Sequence, residues 1–218
     1  MNDKVSEKKL DLLREEMVAK AERGEMSRKR CVHTLEVEKM VRRLAEIYLP
    51  EKTLELSAAA LLHDVTKELS YDEQISLAER LGISLTEEDR YAPKTLHAMT
   101  AAALIPSEYP AFATEEIIGY VRWHTTGRAG MTLGEKLVYL ADYIDMSRTF
   151  EDCVALREYF FGVDLEKMTE EEREAHLDRT LLRSFDLTIM GLLEKQTIIS
   201  EQTIAARNET ALRLAKRS

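Results

Sequence analysis

The sequence predicts an all-α protein, and three observations carry that prediction. Apolar residues recur three and four positions apart along most of the chain, and no stretch alternates as a half-buried strand would. Only 8 glycines and 4 prolines punctuate the 218 residues, too few for the turns of a β-rich fold. Charged residues make up 33% and aromatics 6%, a balance that suits helices with a solvated outer face. Hydrophobic residues at 44% are enough for a core that needs neither disulfides nor a structural metal.

The elements follow in order. Residues from Val5 to Arg23 form a charged amphipathic helix with Leu10, Leu13 and Met17 on one stripe, closed by Gly24. Ser27 caps a second helix to Tyr48, ended by Pro50, with Val37, Met40, Val41, Leu44 and Ile47 inward. A third starts near Thr53 and carries LELSAAALLHD, and a fourth follows Ser70 and stops at Gly82. Pro93 and Pro106 bracket a short helix, and Thr114 opens another that ends in RWH. The glycine-rich loop TTGRAGM follows. Thr132 with Glu135, and Thr169 with Glu172, have capping-box spacing and start the next two helices. A last helix runs from Glu201 to Lys216. With no repeat or low-complexity linker, the expected organisation is one helical domain over 25–195, with additions at 1–24 and 196–218.

The formal charge of -9 argues against a binder of nucleic-acid polymers or anionic membranes, which want a basic surface. A phosphate substrate stays open, because a metal supplies local positive charge inside an acidic protein. Cys31 and Cys153 lack CxxC spacing and read as reduced thiols. The charged N-terminus has no signal-peptide pattern and no apolar run reaches membrane-spanning length, so a cytoplasmic location is expected.

The informative feature is the placement of the 5 histidines. His33 shares the face of Val37 and Met40, His63 that of Leu56 and Ala59, His97 that of Ala101 and Leu104, and His124 that of Ile117 and Val121. Asp142 lies one turn after Val138 within LVYLADYI. A single inward histidine is usually a hydrogen-bonded core residue. Four imidazoles and a carboxylate on apolar faces are another matter, since isolated buried polar groups are costly and a shared divalent metal removes that cost. Such a donor set suits iron, manganese or zinc rather than calcium. His63-Asp64 stands at the end of an apolar helix, where neighbours that point roughly 100° apart can still approach one centre. His176, in EEREAHLDRT, reads as solvated and is rejected as a ligand.

The order H…HD…H…H…D resembles the HD-domain superfamily of metal-dependent phosphohydrolases. The segments RCVHTLEV, LLHDVTKELS, TLHAMTAAAL, RWHTTGRAGMTLGEKLVYLADYID and SRTF are similar, more narrowly, to its symmetrical diadenosine tetraphosphate hydrolases. The likeness covers Ser27 to Leu193. It implies an HD-domain helical bundle and a di-iron enzyme, with manganese or another divalent metal as the alternative to iron, that splits diadenosine tetraphosphate into two ADP. It further implies that His33, His63, Asp64 and Asp142 hold one metal, and that Asp64 bridges to a second completed by His97 and His124. The chain departs from the family in two places. Asp145-Met146 replaces the usual Glu-Pro, and the terminal helices exceed the usual length, with no catalytic part assigned to them.

Around that centre, Asp64, Lys67, Arg128 and Asp145 are the expected catalytic residues. Lys67 lies three residues after Asp64 and can meet a phosphate, or simply pair with Glu68 or Asp64. Arg128, in a glycine-flanked loop, can hold a phosphate with two parallel hydrogen bonds. Thr125, Thr126 and Arg148 are further substrate-binding candidates. Asp145 shares the face of Asp142 and can orient a metal ligand or act as a general acid. Trp123 and Tyr139 read as core packing. Rival readings are an HD hydrolase acting on a nucleoside monophosphate, a deoxynucleotide or a guanosine alarmone, and a non-catalytic nucleotide-binding module. The terminal helices could also mediate a homodimer.

Overall fold

The computed structural model describes residues 5–217, which leaves residues 1–4 of the 1–24 addition and Ser218 outside the described residues. Those described form eleven α-helices joined by turns and short 3-10 segments, with no strand among them. Helix α1 (Glu7–Glu22) buries Leu10, Leu13 and Met17, and ends where Gly24 takes a φ of +75°. Helix α2 (Arg28–Tyr48) begins at Ser27, whose hydroxyl accepts from the Arg30 amide at 3.1 Å. Helix α3 (Thr53–Leu62) is the hub: every residue from Leu56 to Leu62 is buried, and the small Ala58, Ala59 and Ala60 let neighbours approach closely. Truncating Leu56 or Leu62, both fully buried, would cost roughly 2–5 kcal/mol.

Helix α4 (Tyr71–Arg80) starts with a Ser70–Glu73 capping box, and α5 (Glu87–Tyr91) with a Thr86–Asp89 one. Helix α6 (Pro93–Glu108) runs through Pro106 instead of ending there. Burial of Ala102 and Ile105 holds the last turn although Pro106 donates no backbone bond, so packing overrides the local breaker. Helices α7 (Glu115–Trp123), α8 (Leu133–Ile144) and α10 (Glu170–Glu194) start at Thr114, Thr132 and Thr169, the last two with complete capping boxes. Between α8 and α10 lies α9 (Glu151–Phe161), preceded by Phe150 with no side-chain cap.

Helix α11 (Glu201–Arg217) packs on α10. It also reaches the loop after His124, because Thr203 donates to the Thr126 carbonyl at 3.0 Å and the Gly130 amide donates to Glu209. His176 is 3% exposed, not solvated. Its Nε2 donates to the Phe160 carbonyl at 3.0 Å, and its ring stacks on Phe160, so it is a satisfied core histidine. Among the described residues no helix is long and apolar enough to cross a membrane.

Candidate metal centre and cleft

Helix α3 stops at Leu62, and the chain then tightens into i→i+3 turns, with the Lys67 amide on the Asp64 carbonyl at 3.0 Å. That change of winding lets the adjacent His63 and Asp64 face one point. His63 Nε2 lies 3.3 Å from Asp64 Oδ2. From α2, His33 Nε2 stands 3.7 Å from the same oxygen and 3.0 Å from Asp142 Oδ1 on α8. The other oxygen, Oδ1, faces His97 Nε2 of α6 at 3.2 Å and His124 Nε2 at the end of α7 at 3.5 Å. All six sequence-derived ligand candidates therefore converge, with Asp64 between a His33–His63–Asp142 side and a His97–His124 side.

The imidazoles are oriented by bonds behind them. Nδ1 of His63 donates to the Ala60 carbonyl at 2.6 Å, and Nδ1 of His124 to the Val121 carbonyl at 2.7 Å. A carbonyl can only accept, so both rings carry the proton on Nδ1 and turn an Nε2 lone pair to the centre. His33 Nδ1 meets Asp145 Oδ2 and Ser147 Oγ, each at 3.3 Å. Asp145 is fully buried and also accepts from the Ser147 amide at 2.8 Å.

Among the buried atoms that make no hydrogen bond are His33 Nε2, His63 Nε2 and Asp64 Oδ1, all at the centre. Unsatisfied lone pairs at such depth are expensive, and a cation satisfies all of them together. Two ligand groups, His33–His63–Asp64 and Asp64–His97–His124, each bring their donor atoms within 4.8 Å of one another. The residues present fit a bound metal, and this His/Asp cluster is able to hold one.

The charges tell the same story. Burial opposes ionisation of Asp64, yet the imidazoles of His63, His124 and His97 packed around it hold its carboxyl well below the usual range. Asp142 is likewise low, with Arg148 and His33 outweighing burial. Burial drives His97 down to about 3 and lowers His124, which keeps both neutral as ligands must be. His33, though buried, is lifted to about 9 by Asp142 and Asp145, a measure of how strongly this side calls for positive charge.

Several cations answer that field. Arg148 donates to Asp142 Oδ1 at 2.5 Å and to the Asp142 carbonyl at 2.6 Å. Arg30, one turn before His33, donates to Asp64 Oδ2. Sequence reasoning missed Arg30, although its place on the inward edge of the His33 helix was a usable signal. Lys67 Nζ sits 3.0 Å from His97 Nε2, its ammonium lowered by burial. Thr125 Oγ1 lies 3.0 Å from His97 Nε2 and 2.9 Å from His124 Nε2. Arg128 is engaged elsewhere: it pairs with Glu135 at 3.1 and 3.2 Å and does not line the cleft beside the centre. Trp123 is half-buried, with the Arg122 guanidinium 4.2 Å from its ring centre.

That cleft has a volume of about 330 Å³. His124, Thr125, Thr126, Asp142, Arg148 and Lys67 line its polar part, and Tyr91, Tyr139, Tyr143, Leu192 and Ile198 its apolar part. Tyr139 is 4% exposed and packs on Phe185 with ring centres 4.8 Å apart, as core packing requires, but its edge also reaches the cleft. Residues 197–203 supply one wall, so the 196–218 addition takes part in the cleft.

Fold and centre together define one class, helical proteins that hold metal on an inward His/Asp set, and the HD domain profile matches residues 30–147. The symmetrical bis(5'-nucleosyl)-tetraphosphatase of Staphylococcus aureus is 31% identical over 185 residues, covering 83% of this chain and 86% of that one. Its Bacillus subtilis counterpart is 31% identical over 199 residues, covering 89% and 96%. A crystal structure from Clostridium acetobutylicum, described as a predicted HD superfamily hydrolase involved in NAD metabolism, superposes with a TM-score of 0.77 at 30% identity over 93% of this chain and 97% of that one. The chain belongs to the HD-domain family, in the branch that holds the symmetrical bis(5'-nucleosyl)-tetraphosphatases.

Proposed function

We propose that this protein is a symmetrical bis(5'-nucleosyl)-tetraphosphatase that hydrolyses diadenosine tetraphosphate to two ADP at a two-metal centre. The observation that carries the reading is the two-sided use of Asp64, one oxygen facing His33 and His63 and the other His97 and His124. His33, His63, Asp64 and Asp142 would hold one ion, and Asp64, His97 and His124 the other, with iron the metal we put first. When bound, such ions lower the pKa of a hydrolytic water and withdraw charge from phosphate oxygens.

The chain's own groups do the rest. Asp145 holds the proton on His33 Nδ1 and so fixes that ring's ligating face. Lys67 and Arg148, both in the cleft wall, contact substrate phosphates. Thr125 and Thr126 offer hydroxyls to the same groups. Arg128, tied to Glu135, shapes the loop that carries those threonines and reaches a phosphate only by leaving that pair. We take 25–195 as the catalytic unit, with 196–218 completing its cleft. The buried free thiols Cys31 and Cys153 suit the reducing cytoplasm in which we place it.

The test is to incubate protein purified without chelators with diadenosine tetraphosphate, resolve the products by anion exchange and count bound metal. ADP as sole product with about two metals per chain is the expected result. ATP plus AMP would reject the symmetrical cut. No turnover after iron or manganese is restored would move the reading to another nucleotide.

A further inference from the structure

We infer that a second, smaller pocket, which shares Lys67 with the main cleft, seats the second nucleoside diphosphate half of the substrate, its base on Tyr71 and its phosphates on Lys94. The inference rests on the tetraphosphatase reading. A cut at the central bridging oxygen of a dinucleoside tetraphosphate leaves two nucleoside diphosphate arms diverging from the attacked phosphorus. One cleft can take one arm, so the other needs a separate exit from the same centre.

The protein has one. The smaller pocket, about 190 Å³, is lined by Lys67, Leu69, Tyr71, Gln74, Pro93, Lys94 and His97. It shares Lys67, Pro93 and Lys94 with the main cleft, but meets the centre at His97, whereas the cleft meets it at His124 and Asp142. His97 and His124 are neighbours, Nε2 to Nε2 at 3.1 Å, so the two hollows leave the cluster at adjoining ligands.

The lining has nucleotide-binding character. Tyr71 is 44% exposed and Leu69 37%, two apolar side chains left partly in solvent beside two lysines. An exposed aromatic face next to an ammonium is what a base with its phosphates uses, through stacking and charge. The walls are also fixed in advance. Tyr71 opens α4 directly behind the Ser70–Glu73 capping box, and Gln74 is locked onto the Thr66 carbonyl and the Thr100 hydroxyl at 2.5 and 2.7 Å.

Equilibrium dialysis of ADP on the full-length, manganese-loaded protein tests this. Two ADP per chain are expected. Tyr71→Ala and Lys94→Ala should each weaken the second site about tenfold, with Tyr71→Trp restoring it, as loss and return of one stacked base imply. In parallel, the preference for diadenosine tetraphosphate over adenosine tetraphosphate, taken as a ratio of kcat/KM values, should fall by a similar factor in Tyr71→Ala. One ADP per chain in the wild type, or unchanged affinities in both alanine variants, overturns the inference and leaves the tetraphosphatase reading intact. Two sites sensitive to Tyr71, without any cleavage of diadenosine tetraphosphate, would keep the pocket and sink that reading.

Discussion

The hydroxyl of Thr203 donates to the backbone carbonyl of Thr126 at 3.0 Å, and through this bond the last helix holds the loop that follows His124. Thr203 and Thr126 are 4% and 5% exposed, so water cannot replace the bond if it is lost. Thr203→Val keeps the shape and leaves the carbonyl without its donor, a loss of about 1–2 kcal/mol in urea unfolding. Because Thr126 lines the cleft, the KM for substrate should rise in the same variant while bound metal stays constant.

Asp145 acts on the centre through His33. Asp145→Asn replaces an obligate acceptor with a group that can present its amide to Nδ1, freeing His33 to take the wrong tautomer. Metal affinity should drop about 10–100-fold, read by competition with a chelator of known affinity. A role in packing alone would leave that affinity unchanged and show only as a lower Tm.

What could be read from the sequence was what is encoded locally. Ser27, Thr114, Thr132 and Thr169 each announce a helix within four residues, and each caps one. Helix α9 escaped because Phe150 offers no cap, and α5 because five residues are too few to show a period. The convergence of His33, His63, His97, His124 and Asp142 was legible because each falls on the apolar face of a helical pattern, and that of Asp64 through its place beside His63 and the family resemblance. Ser147 on His33 was not, since that contact spans 114 residues and exists only through packing; Arg30 showed its inward place on the His33 helix but not its partner Asp64, 34 residues on. For Arg128 the flanking glycines suggested a free guanidinium. The carboxylate that occupies it belongs to Glu135, whose second oxygen is already in the Thr132 capping box. His176 misled in the opposite sense, its charged neighbours hiding a ring that faces Phe160.

The loop after His124 depends on Gly127, which has a φ of +62°. A Cβ there would stand 3.0 Å from Phe185 Cζ, 3.1 Å from Ala206 Cβ and 3.1 Å from Met131 Sδ. Gly127→Ala therefore combines a left-handed backbone with crowding between α10 and α11. It should cost about 2 kcal/mol or more, measured by chemical denaturation. Gly24→Ala, with open space around its Cβ, should cost only the backbone part, about 1–2 kcal/mol.

Asp178 makes the fold's stability depend on acid. It is 1% exposed and joins three helices: Lys136 of α8 donates to it at 2.9 Å, and Arg213 of α11 at 3.1 and 3.2 Å. Burial resists its charge, but the bonds from Arg213 and Lys136 prevail and its pKa lies below the ordinary value. The unfolded chain, with an Asp pKa of about 3.9, then binds the proton more readily than the native one. The stabilisation is complete above that value and disappears as pH falls through the lower, folded pKa. Asp178→Asn should destabilise the protein by about 3 kcal/mol at pH 7, because a buried pair loses its anion and two cations stay behind. Urea unfolding of both proteins from pH 7 to pH 3 checks the sign: the gap between them must stay constant down to about pH 4 and narrow below it. A gap that is the same at every pH would mean that Asp178 contributes by its shape and hydrogen bonds, not by its charge.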